Sequence, residues 1–265
     1  MNNLNETAFT IDSSSIKFGN GVTEEVGWEF ERLNCKNIMV VTDKKLVDHI
    51  SVQRTIDSIN KSKLNPVLYS NVSVEPTDSS FKDSINFAID NKIDGFVGVG
   101  GGSSMDTAKV ANLYSTYPND FMSYVNAPIG LATPIPGPLK PHIACPTTFG
   151  TASECTSLAI FDLLDQQLKT GIANIHLRPN LGIVDPNSLR TLSSEVVAAN
   201  GFDVFSHAVE SFTCKPFTQR EAPVDPSKRP IYQGANPYSD ISCIEAIKLI
   251  GTNLVSAVNN RDDDN

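Results

Sequence analysis

Short apolar runs alternate with helical patterns over residues 1–190, and that alternation restricts the fold more than any other feature of the chain. The run Ile38-Met-Val-Val-Thr-Asp43 ends in an acid. The polar segment 44–62 carries Leu46, Val47, Ile50, Ile56 and Ile59 at positions that predict a helix. Val67-Leu-Tyr69 is the next run; Pro76 and Thr77-Asp78 then punctuate the chain. Phe81, Ile85, Ala88 and Ile89 predict a helix over 81–91, before a third run, Gly95-Phe-Val-Gly-Val99. Strands that alternate with helices imply a parallel sheet covered on both faces.

The third run enters Gly100-Gly-Gly-Ser-Ser-Met-Asp-Thr-Ala-Lys109. Consecutive glycines let a backbone turn sharply and approach a ligand closely. Ser103 and Ser104 are placed to cap the helix that follows, and a helix N-terminus with exposed N–H groups binds phosphate. The stretch is neither G-x-G-x-x-G, because Ser103 stands where the last glycine would be, nor a Walker sequence, because no Gly-Lys-Ser/Thr occurs. A tight strand–helix turn without a ligand has the same composition. Further on, 118–141 is rich in Pro and Gly and reads as a loop, and His142-Ile-Ala-Cys-Pro146 reads as a strand. Thr147-Thr-Phe-Gly-Thr-Ala-Ser-Glu154 is a hydroxyl-rich turn that offers donors to a phosphate or ribose, or simply caps a helix. Segments 157–161 and 169–173 read as two strands joined by a polar turn, and Leu181-Gly-Ile-Val184 as one more.

After Thr191 the texture becomes helical. The expected division is an α/β dinucleotide-binding domain over 1–190 and the beginning of a helical, metal-binding domain over 191–265. Phe202, Phe205, Val209 and Phe212 predict a helix over 193–213 with one buried face. Asp203 and His207 stand four residues apart on it, so their side chains converge on one point. A carboxylate oxygen and an imidazole nitrogen suit divalent zinc or iron, although an Asp and a His at this spacing also hydrogen-bond locally without a metal. Residues 215–240 hold prolines at 216, 223, 226, 230 and 237 and read as a long excursion before a second helix over 238–258.

The formal charge of −9 argues against nucleic acid or an anionic membrane as the main partner, since both require a basic face. No run reaches the length of a membrane span by this reading. The start of the chain, with Glu6 and Asp12 and no Arg before Arg32, resembles neither a secretory signal nor a transit peptide. Cysteines 35, 145, 155, 214 and 243 are scattered, without a C-x-x-C, and read as reduced structural thiols of an intracellular protein. His49, His142 and His176 match no metal motif.

Four stretches in register, Thr42-Asp43, the Gly100–Lys109 segment, Pro146–Glu154 and Gly201-Phe-Asp203-x-x-x-His207-Ala-x-Glu210, resemble the iron-containing (group III) alcohol dehydrogenase family. Segments 138–141, 169–173 and 229–237 look like its hydroxyacid–oxoacid transhydrogenase branch. The resemblance implies a Rossmann-like parallel-sheet domain followed by the start of an all-helical domain. It implies NAD as cofactor and a divalent metal, iron or possibly zinc. Asp43 would meet the adenosine ribose; Gly101, Gly102, Ser103 and Asp106 would hold the pyrophosphate and nicotinamide side. Thr147 and Thr148 would line the cofactor cleft, Lys169 would approach a ribose, and Asp203 and His207 would be two metal ligands. The implied reaction moves hydride from 4-hydroxybutyrate to tightly held NAD and then to 2-oxoglutarate. Since these substrates carry carboxylates, an Arg or Lys is expected near the metal. Other alcohols as substrate, or a dinucleotide-binding remnant without catalysis, are the competing readings. The implied partners are small-molecule acids and a second copy of the chain, and the implied location is the mitochondrial matrix if the source is a eukaryote and the cytoplasm otherwise.

The chain departs from the family's pattern at Phe149 and Ala152, where the family prefers small residues; Phe149 is expected to narrow the cofactor cleft. The family's two further histidine ligands have no counterpart before Asn265, so the chain reads as truncated, with half a metal site.

Overall fold

A computed structural model describes residues 5–260. The chain divides into two compact units, Ser13–Thr148 with Ala152–Leu189, and the remainder: the residues up to Asp12, Phe149–Thr151, and the chain from Arg190.

The larger unit contains the strands β1 (Ser15–Phe18), β2 (Asn37–Val41), β3 (Asn65–Tyr69), β4 (Gly95–Gly100), β5 (His142–Pro146), β6 (Leu158–Leu163), β7 (Leu168–Ala173) and β8 (Leu181–Val184). Six of them form one sheet in the order β1-β8-β5-β4-β2-β3, every pair parallel. The α/β expectation is therefore met. β6 and β7 form a separate antiparallel hairpin. Its helices are α1 (Val26–Arg32), α2 (Ile50–Lys61), α3 (Asp78–Asp90) and α4 (Gly102–Thr116).

The continuous apolar run in β2 is explained by burial on both faces. Ile38 and Val40 pack with Val26, Phe30, Val52 and Ile59 of α1 and α2. Met39 and Val41 point the other way, to Ala88 of α3 and Ala108 and Ala111 of α4. All four strand side chains are fully buried, each stabilising by roughly 1.5–3 kcal/mol. Helix α4 is buried nearly all round, Ser104 to Tyr114, because β6 contacts it on the side away from the sheet.

Leaving β1 aside, the strands in chain order (β2, β3, β4, β5, β8) take sheet places that read 2-1-3-4-5. The chain leaves β2 toward one edge and β4 toward the other. Such a reversal opens a crevice at the carboxyl ends of β2 and β4, where open α/β sheets bind ligands.

Four elements differ from expectation. Helix α2 starts at Ile50 rather than residue 44. Asp43 Oδ1 accepts from Lys45 N at 2.8 Å, and Leu46 N and His49 N donate back to Asp43 O and Leu46 O. The intervening residues therefore form turns, and His49 Nδ1 caps the helix by accepting from Ser51 N. Helix α3 starts at Asp78, three residues early, on a capping box between Thr77 and Ser80. β1 and α1 lie where no element was expected.

The smaller unit is built on α5 (Ser194–Thr213) and α6 (Pro237–Asn259), packed on each other. The expected buried face of α5 is corrected: Phe202, Phe205 and Phe212 are exposed, whereas Val197, Gly201 and Ala208 are buried. Close helix approach selects small residues. A β-carbon on Gly201 would collide with the Leu254 side chain of α6. The expectation that no segment has membrane-spanning length is also corrected, since α6 has 23 residues and a mean hydropathy of 1.5. Lys248 lies midway along it, at a cost of roughly 2.5–3.5 kcal/mol in a bilayer centre. Apolar composition alone does not make α6 a span.

Candidate functional site

The glycine turn closes β4 at the crevice. Gly100 has φ +155, a conformation that side-chain-bearing residues rarely adopt. Gly101 is the N-cap of α4 and Gly102 its first residue, so no side chain caps the helix. This corrects the expectation for Ser103 and Ser104, which lie inside the first turn. Ser103 Oγ accepts from Glu75 N at 3.3 Å, and Ser104 is buried. An uncapped 15-residue helix beginning at a sheet crevice is a ready anion site.

The neighbouring strand ends converge on this turn. Thr147 N donates to Gly100 O at 2.9 Å, and a β-carbon on Gly101 would meet Thr148 Oγ1 at 3.6 Å. Thr147 is buried and Thr148 half-buried. On the other side Val41 pairs with Gly98, so Asp43, two residues on, stands level with Gly100. Asp43 is half-buried. Beside it, Thr42 Oγ1 is buried without a hydrogen-bond partner. A polar crevice lined by backbone N–H groups, threonine hydroxyls and one carboxylate fits a dinucleotide.

Asp106 and Lys109 are turned into the protein. Asp106 Oδ2 accepts from Ile160 N at 3.0 Å, and Oδ1 pairs with Lys109 Nζ at 3.0 Å. Lys109, fully buried, also donates to Thr156 Oγ1 and Leu158 O. Burial lowers its pKa against the pull of Asp106. The pair staples the β6–β7 hairpin to α4, so any part Asp106 plays toward a cofactor runs through the placement of the first turn. Glu154, close to the same ammonium, is raised by burial. Lys169 is exposed on the hairpin and pairs with Asp162, its cross-strand neighbour, at 2.9 Å. No side-chain contact ties Lys169 to the glycine turn among the described residues.

In the smaller unit, Asp203 Oδ1 and His207 Nδ1 are 3.8 Å apart on one face of α5, both partly exposed. Two ligands of a tetrahedral ion with bonds of about 2.1 Å are separated by roughly 3.4 Å, so small rotations admit a metal. Gly150 packs on this face: a β-carbon there would stand 2.6 Å from Asp203 Oδ2 and 2.8 Å from Asn200 Oδ1. Among the described residues no third His, Cys, Asp or Glu joins the pair. The donor set fits a divalent ion but supplies only two of the usual four positions.

Sequence reasoning missed the buried staple from Lys109 and the packing of Gly150 on Asp203. D-x-x-K in a helix usually marks a solvent-side pair, and the glycine contact is distant in sequence. Two of the other histidines, His49 at the N-cap of α2 and His142, have structural places. His142 is fully enclosed in β5, and burial with the nearby Lys109 charge depresses it to about 3. The five cysteines are free thiols.

Residues 13–186 match the family model described as iron-containing alcohol dehydrogenase. The chain is 49% identical to a probable mitochondrial hydroxyacid-oxoacid transhydrogenase of Dictyostelium discoideum, over 97% of this chain and 50% of that protein. It is 48% identical to the mitochondrial hydroxyacid-oxoacid transhydrogenase of Rattus norvegicus, over 97% of this chain and 55% of that one. The chain thus spans about half the length of the curated relatives it matches. Among solved structures it is similar to a 1,3-propanediol oxidoreductase, with TM-score 0.84 and 27% identity over 97% of this chain and 62% of that one. It is also similar to sulfoacetaldehyde reductase from Bifidobacterium kashiwanohense in complex with NAD+, with TM-score 0.83 and 26% identity, covering 97% and 62%.

Proposed function

The chain belongs to the iron-containing alcohol dehydrogenase family, and on that premise we propose that it serves a metal- and NAD-dependent hydroxyacid–oxoacid transhydrogenase. The observation that carries the reading is the uncapped glycine turn at the β2/β4 crevice, in a chain nearly half identical to proteins of that name. In this reading 4-hydroxybutyrate gives hydride to NAD+ and leaves as succinate semialdehyde with release of a proton. 2-Oxoglutarate would take up that hydride and a proton to become 2-hydroxyglutarate, with bound NAD as the hydride carrier between the two acids, so the cycle is redox-neutral and needs no free NAD.

Backbone N–H groups at Gly101, Gly102 and Ser103 bind the pyrophosphate, and Asp43 accepts from the adenosine ribose hydroxyls. Thr147 and Thr148 orient the bound dinucleotide beside them. Asp106 keeps the first turn of α4 in place through its bonds to Ile160 and Lys109. Lys169 approaches a ribose from the hairpin. Asp203 and His207 hold iron or zinc, which when bound supplies Lewis-acid polarisation of the substrate oxygen. These roles distribute cofactor binding to residues 1–190 and metal binding to 191–265. The relatives' names support a mitochondrial location, and pairing with a second copy belongs to the same reading.

The test is transfer of hydride from 4-hydroxybutyrate to 2-oxoglutarate by metal- and NAD-loaded protein, followed without added free NAD. Turnover of simple primary alcohols faster than 4-hydroxybutyrate would replace this reading with a plain alcohol dehydrogenase. The two-donor metal face favours one second reading, a dinucleotide-binding chain without chemistry of its own. NAD binding without turnover in the loaded protein would select it.

A further inference from the structure

A cavity of about 150 Å³ opens beside α4 at the amino ends of β5 and β8. It lies at the opposite end of the sheet from the crevice: His142 begins β5, and Pro146, about 13 Å further along, ends it. Lys140, Arg178, His142, His176, Asn112 and Asn180 line the cavity, and no Asp or Glu does. It is open to solvent where Asn180 is exposed, and Lys140 and His176 are half-buried in its wall. The formal charge of the chain is −9, so this wall runs against the overall balance.

The cavity is held in shape by its two amides. Asn112 Nδ2 donates to Lys140 O at 2.8 Å, and Lys140 N donates to Asn112 Oδ1 at 3.2 Å. Asn180 Oδ1 accepts from His142 N at 2.8 Å, and Asn180 N donates to His142 O at 2.8 Å. With Oδ1 so engaged, Nδ2 of Asn180 remains a spare donor.

Lys140 is the cation that lacks an anion. Its Nζ reaches Ser115 O at 3.3 Å and Ser115 Oγ at 3.4 Å, two neutral acceptors at long range. No carboxylate pairs with it among the described residues. Burial pushes its pKa down against the pull of Asp94, and an anion in the cavity would reverse that shift. Asp94 is engaged elsewhere, since its oxygens accept from Lys36 N and Asn37 N.

Size and donors select the ligand. The volume equals about five waters' share of the liquid, too little for a nucleotide and enough for a phosphate group with a water or two. Lys140, His176 and Asn180 approach from three separate segments of chain. Donors so spread suit the acceptor oxygens of a tetrahedral phosphate better than the two coplanar oxygens of a carboxylate.

We propose that this cavity binds a phosphate group, free or at the end of a small metabolite, with Lys140 as its principal charge and His176 and Asn180 as further donors.

The glycine turn is itself an anion site, so the test is made in Gly101→Val, which covers the N–H groups there. Inorganic phosphate is titrated by calorimetry into this protein and into the double variants with Lys140→Gln or His176→Gln. Gly101→Val should bind about one phosphate per chain; Lys140→Gln should weaken that binding at least about tenfold and His176→Gln about 3-fold, with unfolding transitions in phosphate-free buffer little changed. Wild type and Lys140→Gln, titrated with NAD filling the crevice, should repeat the difference and guard against misfolding of Gly101→Val. A loss on Lys140→Gln in neither background overturns the inference. Acetate bound as tightly as phosphate overturns the choice of ligand. Glycerol 3-phosphate separates the two sources: tighter binding than phosphate assigns the site to a phosphomonoester, weaker binding assigns it to the free ion, and either order supports the site.

Discussion

Gly150 presses its backbone against the Asp203 carboxylate, leaving no room for a side chain: a β-carbon would come within 2.6 Å of Oδ2. Asn200 Oδ1 would be 2.8 Å from the same carbon. The residue thus fixes the position of one proposed metal ligand from outside α5.

Gly150→Val should therefore displace Asp203 and weaken metal binding without touching a ligand atom. Loss of a group that orients a ligand costs about 10–100-fold in affinity. Zinc titration by calorimetry reads the effect, with His207→Ala as the ligand-deletion reference. Both variants should fall below wild type, and wild type itself should bind weakly compared with a four-ligand site, since two donors come from the described residues. Unchanged affinity in Gly150→Val would remove Asp203 from the metal site.

Gly101 permits an unusually clean test of the cofactor site. A β-carbon there meets nothing nearer than Thr148, at 3.6 Å, and the glycine's φ of −76 suits any residue. Gly101→Ala should fold normally, with at most about 1 kcal/mol lost at the cap. Gly101→Val should fold too, yet cover the N–H groups that a pyrophosphate needs. NAD(H) titration should show Ala weakened and Val at least about tenfold weaker than Ala, with unfolding transitions little changed. Equal NAD(H) affinity in all three proteins would place the cofactor elsewhere.

The parts of this molecule that were legible in sequence are those where one physical cause dominates. The run from Ile38 to Val41 is apolar because both faces of β2 are covered, and three glycines in a row mark a turn wherever they occur. The α5 prediction was half right. Its 3.6 periodicity gives the helix and places the large apolar residues on the buried side, whereas contact with Leu254 selects Gly201, and the other buried residues of α5 are Val197 and the small Ala208. β1 was invisible for a related reason. Its apolar residues Ile16 and Phe18 are exposed at the sheet edge, so burial leaves no pattern in them. The start of α2 depended on Asp43 bonding Lys45 N, a local competition that periodicity does not register. At the site, the Asp203–His207 spacing was readable because one helix carries both, while the inward turn of Asp106 was not, because its partners Ile160 and Thr156-bound Lys109 come together only in the folded chain.

His142 makes the larger unit sensitive to acid. Its ring is fully buried in β5, Nε2 lacks a partner, and burial together with Lys109 depresses it from 6.5 to about 3. Above pH 6.5 the imidazole is neutral in the folded and unfolded states alike, and the residue contributes no pH dependence. Between pH 6.5 and about 3 the unfolded chain takes up a proton that the folded chain refuses. Stability therefore falls as pH falls through this window, by up to about 1.4 kcal/mol per unit and about 5 kcal/mol at its lower end. His142→Gln keeps a polar side chain of similar size and removes the titration. Urea unfolding of both proteins at several points from pH 7.5 to 4 should show wild type losing stability faster below pH 6.5, the gap reaching about 3 kcal/mol at pH 4. At pH 7.5 the two should differ by about 2 kcal/mol at most, the ordinary cost of a core polar replacement. A constant difference across the range would mean that His142 takes its proton in the folded state as readily as in the unfolded one.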